Sequence, residues 1–307
     1  MSLTTLKRIG IALAVAVFLY GVVAVVNRRA SDEIETVVLP ALSAADVDRI
    51  LIQRSGDTID LATADGAQWM VNGFRADPTR VQELFSALRD AASGGELVAR
   101  NASSHARMGV DDAGGRRLTF LKSGQPVADM IIGSSAAAAR SGFLRQPGSD
   151  NVFMVHGMLN ALMGREANDW RDRHVAVVPT DSIGSVRVER REGNRMRGYT
   201  VTRADSVNWT VDGAPADSAE VQRMLGALRN VEGSGFPKRE QVDSITFASP
   251  YRALTVFGRD GSRLLALLFD SIAGGPWVRH DSGGPIYRFD RWRLDGLMPA
   301  DSVIRRD

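Results

Sequence analysis

Apolar residues recur at helical spacing in two places along the chain, and the two places match. Val81, Leu84, Phe85 and Leu88 form one apolar face, and Val221, Met224, Leu225 and Leu228 form another, each predicting an amphipathic helix packed on a core. The match extends upstream. Trp69 to Asp90 aligns without a gap on Trp209 to Asn230, with ten of twenty-two positions identical. Each copy begins with a short Trp-bearing strand, turns at Gly73 or Gly213, and places Asp77 or Asp217 where a helix N-cap belongs. Pro78 follows at the first helical position of one copy, and Glu220 stands three residues after Asp217 in the other, as in a capping box. Gly94 and Gly95, or Gly233 and Gly235, read as the stops.

Around each helix the period changes from helical to alternating. Arg49 to Gln53 and Thr58 to Thr63 predict a hairpin, matched by Ser185 to Arg190 and Tyr199 to Arg203. After the helix come Leu118 to Lys122 and Val127 to Ile132, matched by Leu254 to Phe257 and Arg263 to Phe269. A last hairpin pairs Phe143 to Arg145 with Val152 to Met154, and its counterpart pairs Trp277 to Arg279 with Ile286 to Arg288. The expectation is an α+β protein with two homologous units, each mostly antiparallel sheet with one main helix on a face. The first covers 43–175 and the second 183–300, joined by a hinge at 176–182 that contains Val178, Pro179 and Thr180 and followed by a tail at 301–307.

The N-terminal region has a different pattern. From Ile9 to Val26 every residue is apolar, Gly or Tyr. As a helix these eighteen residues rise about 27 Å, against roughly 30 Å of bilayer hydrocarbon. Residues 1–30 therefore read as a short tail and one transmembrane helix, with Ile9, Leu13, Val17, Phe18, Leu19, Tyr20, Val22 and Val26 facing lipid or a neighbouring helix, and 31–42 as a linker. The run ends in Asn27, Arg28 and Arg29 rather than in small residues suited to cleavage, which favours a retained anchor over a signal peptide. Lys7 and Arg8 precede the span and Arg28 and Arg29 follow it, so charge counting is nearly balanced. The short N-terminal tail favours a cytoplasmic start and a periplasmic soluble part, which gives a single-pass protein of a bacterial inner membrane.

Composition narrows the function classes. With 38 basic and 36 acidic residues the net charge is +2, so no strongly basic surface invites nucleic acid. The chain has no Cys, which removes thiol catalysis, iron–sulfur clusters, thiolate zinc sites and disulfides. No Gly-rich phosphate loop is present, so no nucleotide is expected.

With these features laid out, the chain resembles a bacterial family of unknown-function domains often encoded beside gliding-type ABC transporter components. The resemblance rests on the anchor, on Trp69 to Leu88, on Met108-Gly109-Val110, Ile132-Gly133 and Phe143 to Arg145, and on Trp170-Arg171-Asp172-Arg173. The second unit departs from it with Phe269-Asp270 in place of Ile132-Gly133. The resemblance implies the architecture and a membrane-complex setting, and no site residues. In overall architecture and Arg bias the chain is also similar to the extrinsic S subunit of a double-ring bacterial photosynthetic reaction-centre and light-harvesting complex.

The sharpest candidate for catalysis is Asp281-Ser282-Gly283-Gly284-Pro285, which looks like the nucleophile turn of chymotrypsin-like proteases. His280 stands where Gly is expected, and the matching turn of the first unit reads Gln146-Pro147-Gly148-Ser149-Asp150-Asn151, which is hairpin-loop chemistry. His105, His156, His174 and His280 are scattered, and Asp111 and Asp112 lack calcium-loop spacing, so neither metal nor cofactor is expected. Trp69 and Trp209 repeat within equivalent strands and read as core. Trp170 and Trp292 lie among charges near the ends of their units, where packing beside Arg stems and a role as interface anchors are both open. The expectation is a non-catalytic scaffold or accessory subunit that stabilises a multi-subunit membrane complex. The candidate is the photosynthetic assembly, the alternative an ABC exporter, and the remote alternative a serine hydrolase built on Ser282.

Overall fold

The computed structural model describes residues 37, 39–65, 67–136, 140–271 and 275–305. The chain divides into two compact units after Trp170. In the first, β1 (Arg49–Arg54), β2 (Asp57–Thr63), β3 (Trp69–Val71) and β4 (Phe74–Arg75) lead into the helix α1 (Pro78–Ala92). Then come β5 (Gly95–Ala99), the one-turn helix α2 (His105–Met108), β6 (Arg116–Lys122), β7 (Gln125–Ser135), β8 (Ser141–Arg145), β9 (Val152–His156) and α3 (Leu159–Leu162). The second unit holds β10 (His174–Ala176), β11 (Ile183–Glu192), β12 (Arg195–Arg203), β13 (Trp209–Val211), β14 (Ala214–Pro215), the helix α4 (Ser218–Arg229), β15 (Val231–Glu232) and α5 (Arg239–Val242). It closes with β16 (Arg252–Gly258), β17 (Arg263–Asp270), β18 (Trp277–His280), β19 (Gly283–Arg288), α6 (Arg291–Leu297) and α7 (Asp301–Ile304).

The sheet orders are β4-β3-β2-β1-β6-β7-β8-β9-β5 and β14-β13-β12-β11-β16-β17-β18-β19, one topology through eight strands, with antiparallel neighbours throughout. Register makes the positions equivalent one by one. Ile50 lies opposite Leu61 and Phe120, as Val186 lies opposite Val201 and Val256. The β3–β4 and β13–β14 turns share a two-residue, left-handed geometry. Asn72 and Gly73 have φ of 47° and 83°, and Asp212 and Gly213 have 48° and 89°, the hairpin turn for which Asn-Gly and Asp-Gly are suited.

One face of each sheet carries the helix. Alternate residues Ile50, Ile52, Ile59, Leu61, Trp69, Leu118, Phe120 and Met130 meet Val81, Leu84, Phe85 and Leu88 of α1, with Trp69 edge-on to Phe85 at 6.2 Å. Val186, Val188, Val201, Trp209, Leu254, Val256 and Leu267 do the same for α4. Asp77 caps α1 by accepting from the Thr79 amide at 2.8 Å, and Asp217 caps α4 by accepting from the Glu220 amide at 2.9 Å. The expected capping box is only half formed. The Glu220 side chain pairs with Arg223, and the Asp217 amide donates instead to the Ile304 carbonyl.

The other face of each sheet is partly covered by the segment between helix and β6 or β16. Met108 and Val110 pack on Ile131 and Val152, and Ile245 and Phe247 pack on Trp277. The departure at Gly133 and Asp270 has its explanation here. A Cβ on Gly133 would lie 2.2 Å from the Met108 carbonyl oxygen, so the first unit needs glycine to seat its covering segment. In the second, the buried Asp270 carboxylate accepts from the Thr246 amide at 2.8 Å and holds the segment by a charge-assisted hydrogen bond.

Two boundaries differ from those read in the sequence. Arg171 to Ala176 belongs to the second unit because His174–Ala176 pairs with Val231–Glu232, and Val178, in the expected hinge, is buried with its amide on the Leu228 carbonyl. Residues 301–304 are no tail, since Asp301–Ile304 is helical and Ile304 is fully buried. The helix α1 stops before Gly94 and Gly95, as read, and Gly95 also opens β5, which pairs with β9. Among the described residues no helix is long and apolar enough to cross a membrane, and the expected span from Ile9 to Val26, with every anchor residue named above, lies outside them.

Candidate interaction surface

Helix α6 is short, and its two buried leucines, Leu294 and Leu297, fix which side faces the core. That leaves Trp292 on the outer side, 70% exposed, the most exposed aromatic ring among the described large hydrophobic residues. Beside it runs a groove of about 320 Å³ between α6 and the end of α4, floored by Ala227, Val231, Phe289 and Leu297. Arg223 and Arg293 stand at its rim. The Arg293 guanidinium lies 5.1 Å from the Trp292 ring centroid and donates to the Glu232 carbonyl at 2.9 Å, so its charge is held over the indole. An exposed Trp flanked by Arg over an apolar floor is the composition of an interface anchor.

Trp170, the other candidate anchor, is corrected by its burial. It is 0% exposed and packs in the first unit's core, with Arg165 5.7 Å from its ring centroid. The sequence places charges on both sides of it, but the chain here passes under the N-terminus of α1, where the Trp170 carbonyl accepts from the Asp77 amide at 2.8 Å. The indole is therefore enclosed in the core, while the charged residues beside it, Asp169 and Arg171, are only partly buried.

Ser282 sits exposed at the tip of the β18–β19 hairpin. Its chain neighbours are engaged elsewhere: the His280 ring nitrogen Nε2 is 2.7 Å from the Val175 carbonyl, and Asp281 pairs with Arg263 at 2.6 Å. His105, at the start of α2, lies 3.0 Å through Nε2 from the Asp150 carbonyl in the β8–β9 turn, and His174 pairs with Asp172 two residues before it. Among the described residues no three acidic or imidazole side chains gather as a metal site. Trp69 and Trp209 are both in the cores, as their repetition implied.

Groove and fold together describe a tandem antiparallel α+β protein with an exposed aromatic anchor on its second unit. The family model described as a domain of unknown function (DUF4340) matches residues 69–252, and the chain belongs to that family. The matched span takes in both Trp strands and both long helices, so the repeated block lies inside the family's own pattern. Comparison with curated proteins and with solved structures gives no match.

Proposed function

We propose that this protein is a non-catalytic, membrane-anchored accessory subunit of a bacterial inner-membrane complex, with its two sheet units in the periplasm and its second unit docked on an integral subunit through Trp292. The exposed indole over its apolar groove carries the reading, because an isolated surface ring of this size stabilises little on its own unless a partner buries it. The eighteen-residue apolar run from Ile9 to Val26 supplies an anchor of spanning length. The setting proposed is the photosynthetic assembly that the chain resembles in overall architecture, with an ABC exporter as the alternative that the sequence resemblance suggests.

The test is extraction of the tagged full chain from its native membrane in a mild detergent. Integral subunits should co-purify in fixed ratio, and Trp292→Arg should reduce their recovery at least tenfold. Permease and ATPase subunits in the eluate support the transport setting, and pigmented subunits support the photosynthetic one. Recovery of the wild type as a free monomer overturns the proposal.

A further inference from the structure

The duplicated fold carries its own control for a second site. On the outer face of the second sheet, a cavity of about 470 Å³ is lined by Arg187, Arg203 and Arg259, by the hydroxyls of Ser185, Thr200 and Thr202, and by Phe257. Register from Ser185 and Phe257 onward, and chain order across the irregularity between Ile183 and Ser185, identify the equivalent positions in the first unit. There Asp48 and Asp60 are present, and both are engaged: Asp60 with Arg49 at 2.7 Å, and Asp48 by accepting from the Ser123 amide at 2.7 Å, next to Lys122. The first unit thus sets two acids against two bases. In the second, Gly184 and Thr200 replace the two acids, Ser185 and Gly258 replace the two bases, and arginines stand where Leu51, Thr63 and Ser123 were. A neutral patch has become one of three cations.

No carboxylate lies within ion-pair distance of Arg187 or Arg259 among the described residues, so neither guanidinium is tied up in an ion pair. Arg203 is fixed in place, lying 4.4 Å from the Trp209 ring centroid and donating to the carbonyls of Ile183 and Thr180 at 3.0 and 3.2 Å. Asp260, in the turn after β16, accepts from the Ser262 hydroxyl at 2.6 Å and lies beside Gly258 at the edge of the groove, so the three arginines there outnumber one carboxylate. Gly184 brings the third arginine in, because a Cβ there would sit 2.5 Å from the Gly258 oxygen and 2.9 Å from the Arg259 Cα. Guanidinium groups beside hydroxyl donors match the oxygens of a phosphate, which can accept from several N–H and O–H groups at once.

We infer that this groove is a binding site for phosphate groups, specific to the second unit, with Arg187, Arg203 and Arg259 as the cationic donors and Ser185, Thr200 and Thr202 as hydroxyl donors. The source is either a soluble phosphorylated molecule or a lipid headgroup, and the two separate experimentally.

The full chain in non-ionic detergent is titrated with inorganic pyrophosphate by calorimetry, and in neutral nanodiscs with short-chain phosphatidic acid. Saturable binding of one equivalent is expected from at least one probe. Binding of pyrophosphate identifies a soluble ligand class, and binding of the lipid alone identifies a headgroup. Arg187→Ser with Arg259→Ser should weaken it at least tenfold, whereas Arg195→Ser, outside the groove, should leave it within twofold. Thr200→Asp, which restores the acid of the first unit while removing no arginine, should weaken it comparably, and a circular dichroism melt confirms that each variant is folded. Absence of binding to both probes, or equal binding by wild type and Thr200→Asp, overturns the inference.

Discussion

The amide of Asp77 donates to the carbonyl of Trp170 at 2.8 Å while its carboxylate caps α1, so one residue ties the start of the long helix to the end of its unit. Asp217 repeats the arrangement with Ile304 at 2.9 Å. The final buried side chain of each unit is thereby locked beneath its helix N-terminus, Trp170 in one and Ile304 in the other.

Removing these ties should give graded losses. Asp77→Ala and Asp217→Ala each forfeit a cap, about 1 kcal/mol. Trp170→Ala opens a cavity in a fully buried core and should cost about 3–5 kcal/mol. Denaturant unfolding of the full chain in detergent checks the ranking, and a Trp170→Ala variant as stable as wild type would show that the side chain is not a core element.

The duplication was readable because it depends on local rules: a helical period, an N-cap Asp, a turn glycine and a Trp strand occur together twice. Boundaries were harder to read because they are set by long-range pairing. Nothing in His174–Ala176 announces that it will pair with Val231–Glu232 rather than close the first unit. Trp170 and Trp292 sit in similar charged surroundings along the chain, yet only burial against distant segments separates a core residue from an exposed one. The arginine groove also escaped a linear reading. Arg187, Arg203 and Arg259 come from three strands or their ends, and their significance emerges only once register aligns Thr200 with Asp60.

The two covering segments are held by different chemistry, so equivalent positions should respond differently. Gly133→Ala forces a Cβ to within 2.2 Å of the Met108 carbonyl oxygen and should destabilise the first unit by at least about 1–3 kcal/mol, the usual range for overpacking. Asp270→Ala adds no clash but strands the Thr246 amide, also at about 1–3 kcal/mol. Hydrogen exchange distinguishes them, since the first should expose amides around Met108 and the second those around Thr246. Protection unchanged at Thr246 in Asp270→Ala would refute the carboxylate's holding role.

Tyr199 donates its hydroxyl to the Pro299 carbonyl at 2.6 Å, and burial raises the phenol well above its usual range. Tyr199→Phe should therefore leave a buried carbonyl unpaired and lower stability by about 1–2 kcal/mol without altering the sheet. Circular dichroism should stay unchanged while the unfolding midpoint falls. A midpoint equal to wild type would mean that this hydrogen bond contributes no net stability.

Acid should act on a turn that occurs in both units just before the Trp strand. Asp205 accepts from the Asn208 side chain and from the amides of Asn208 and Val207, all at 2.8 Å, and these bonds hold its carboxyl at about 2. Asp65 accepts from the Gln68 and Ala67 amides at 3.1 and 3.0 Å and is likewise lowered. Both carboxylates have folded values below the roughly 3.9 of an unfolded Asp, so their contribution to stability is present above that value and is lost as pH falls through the folded one. The window for Asp205 therefore runs from about pH 4 down to about pH 2. Asp205→Ala should be less stable than wild type at neutral pH, and the gap between their melting temperatures should narrow as pH is lowered across that window. The same narrowing is expected for Asp65→Ala. A gap that stays constant from neutral pH to about pH 2 would show that the charged carboxylate does not hold the turn.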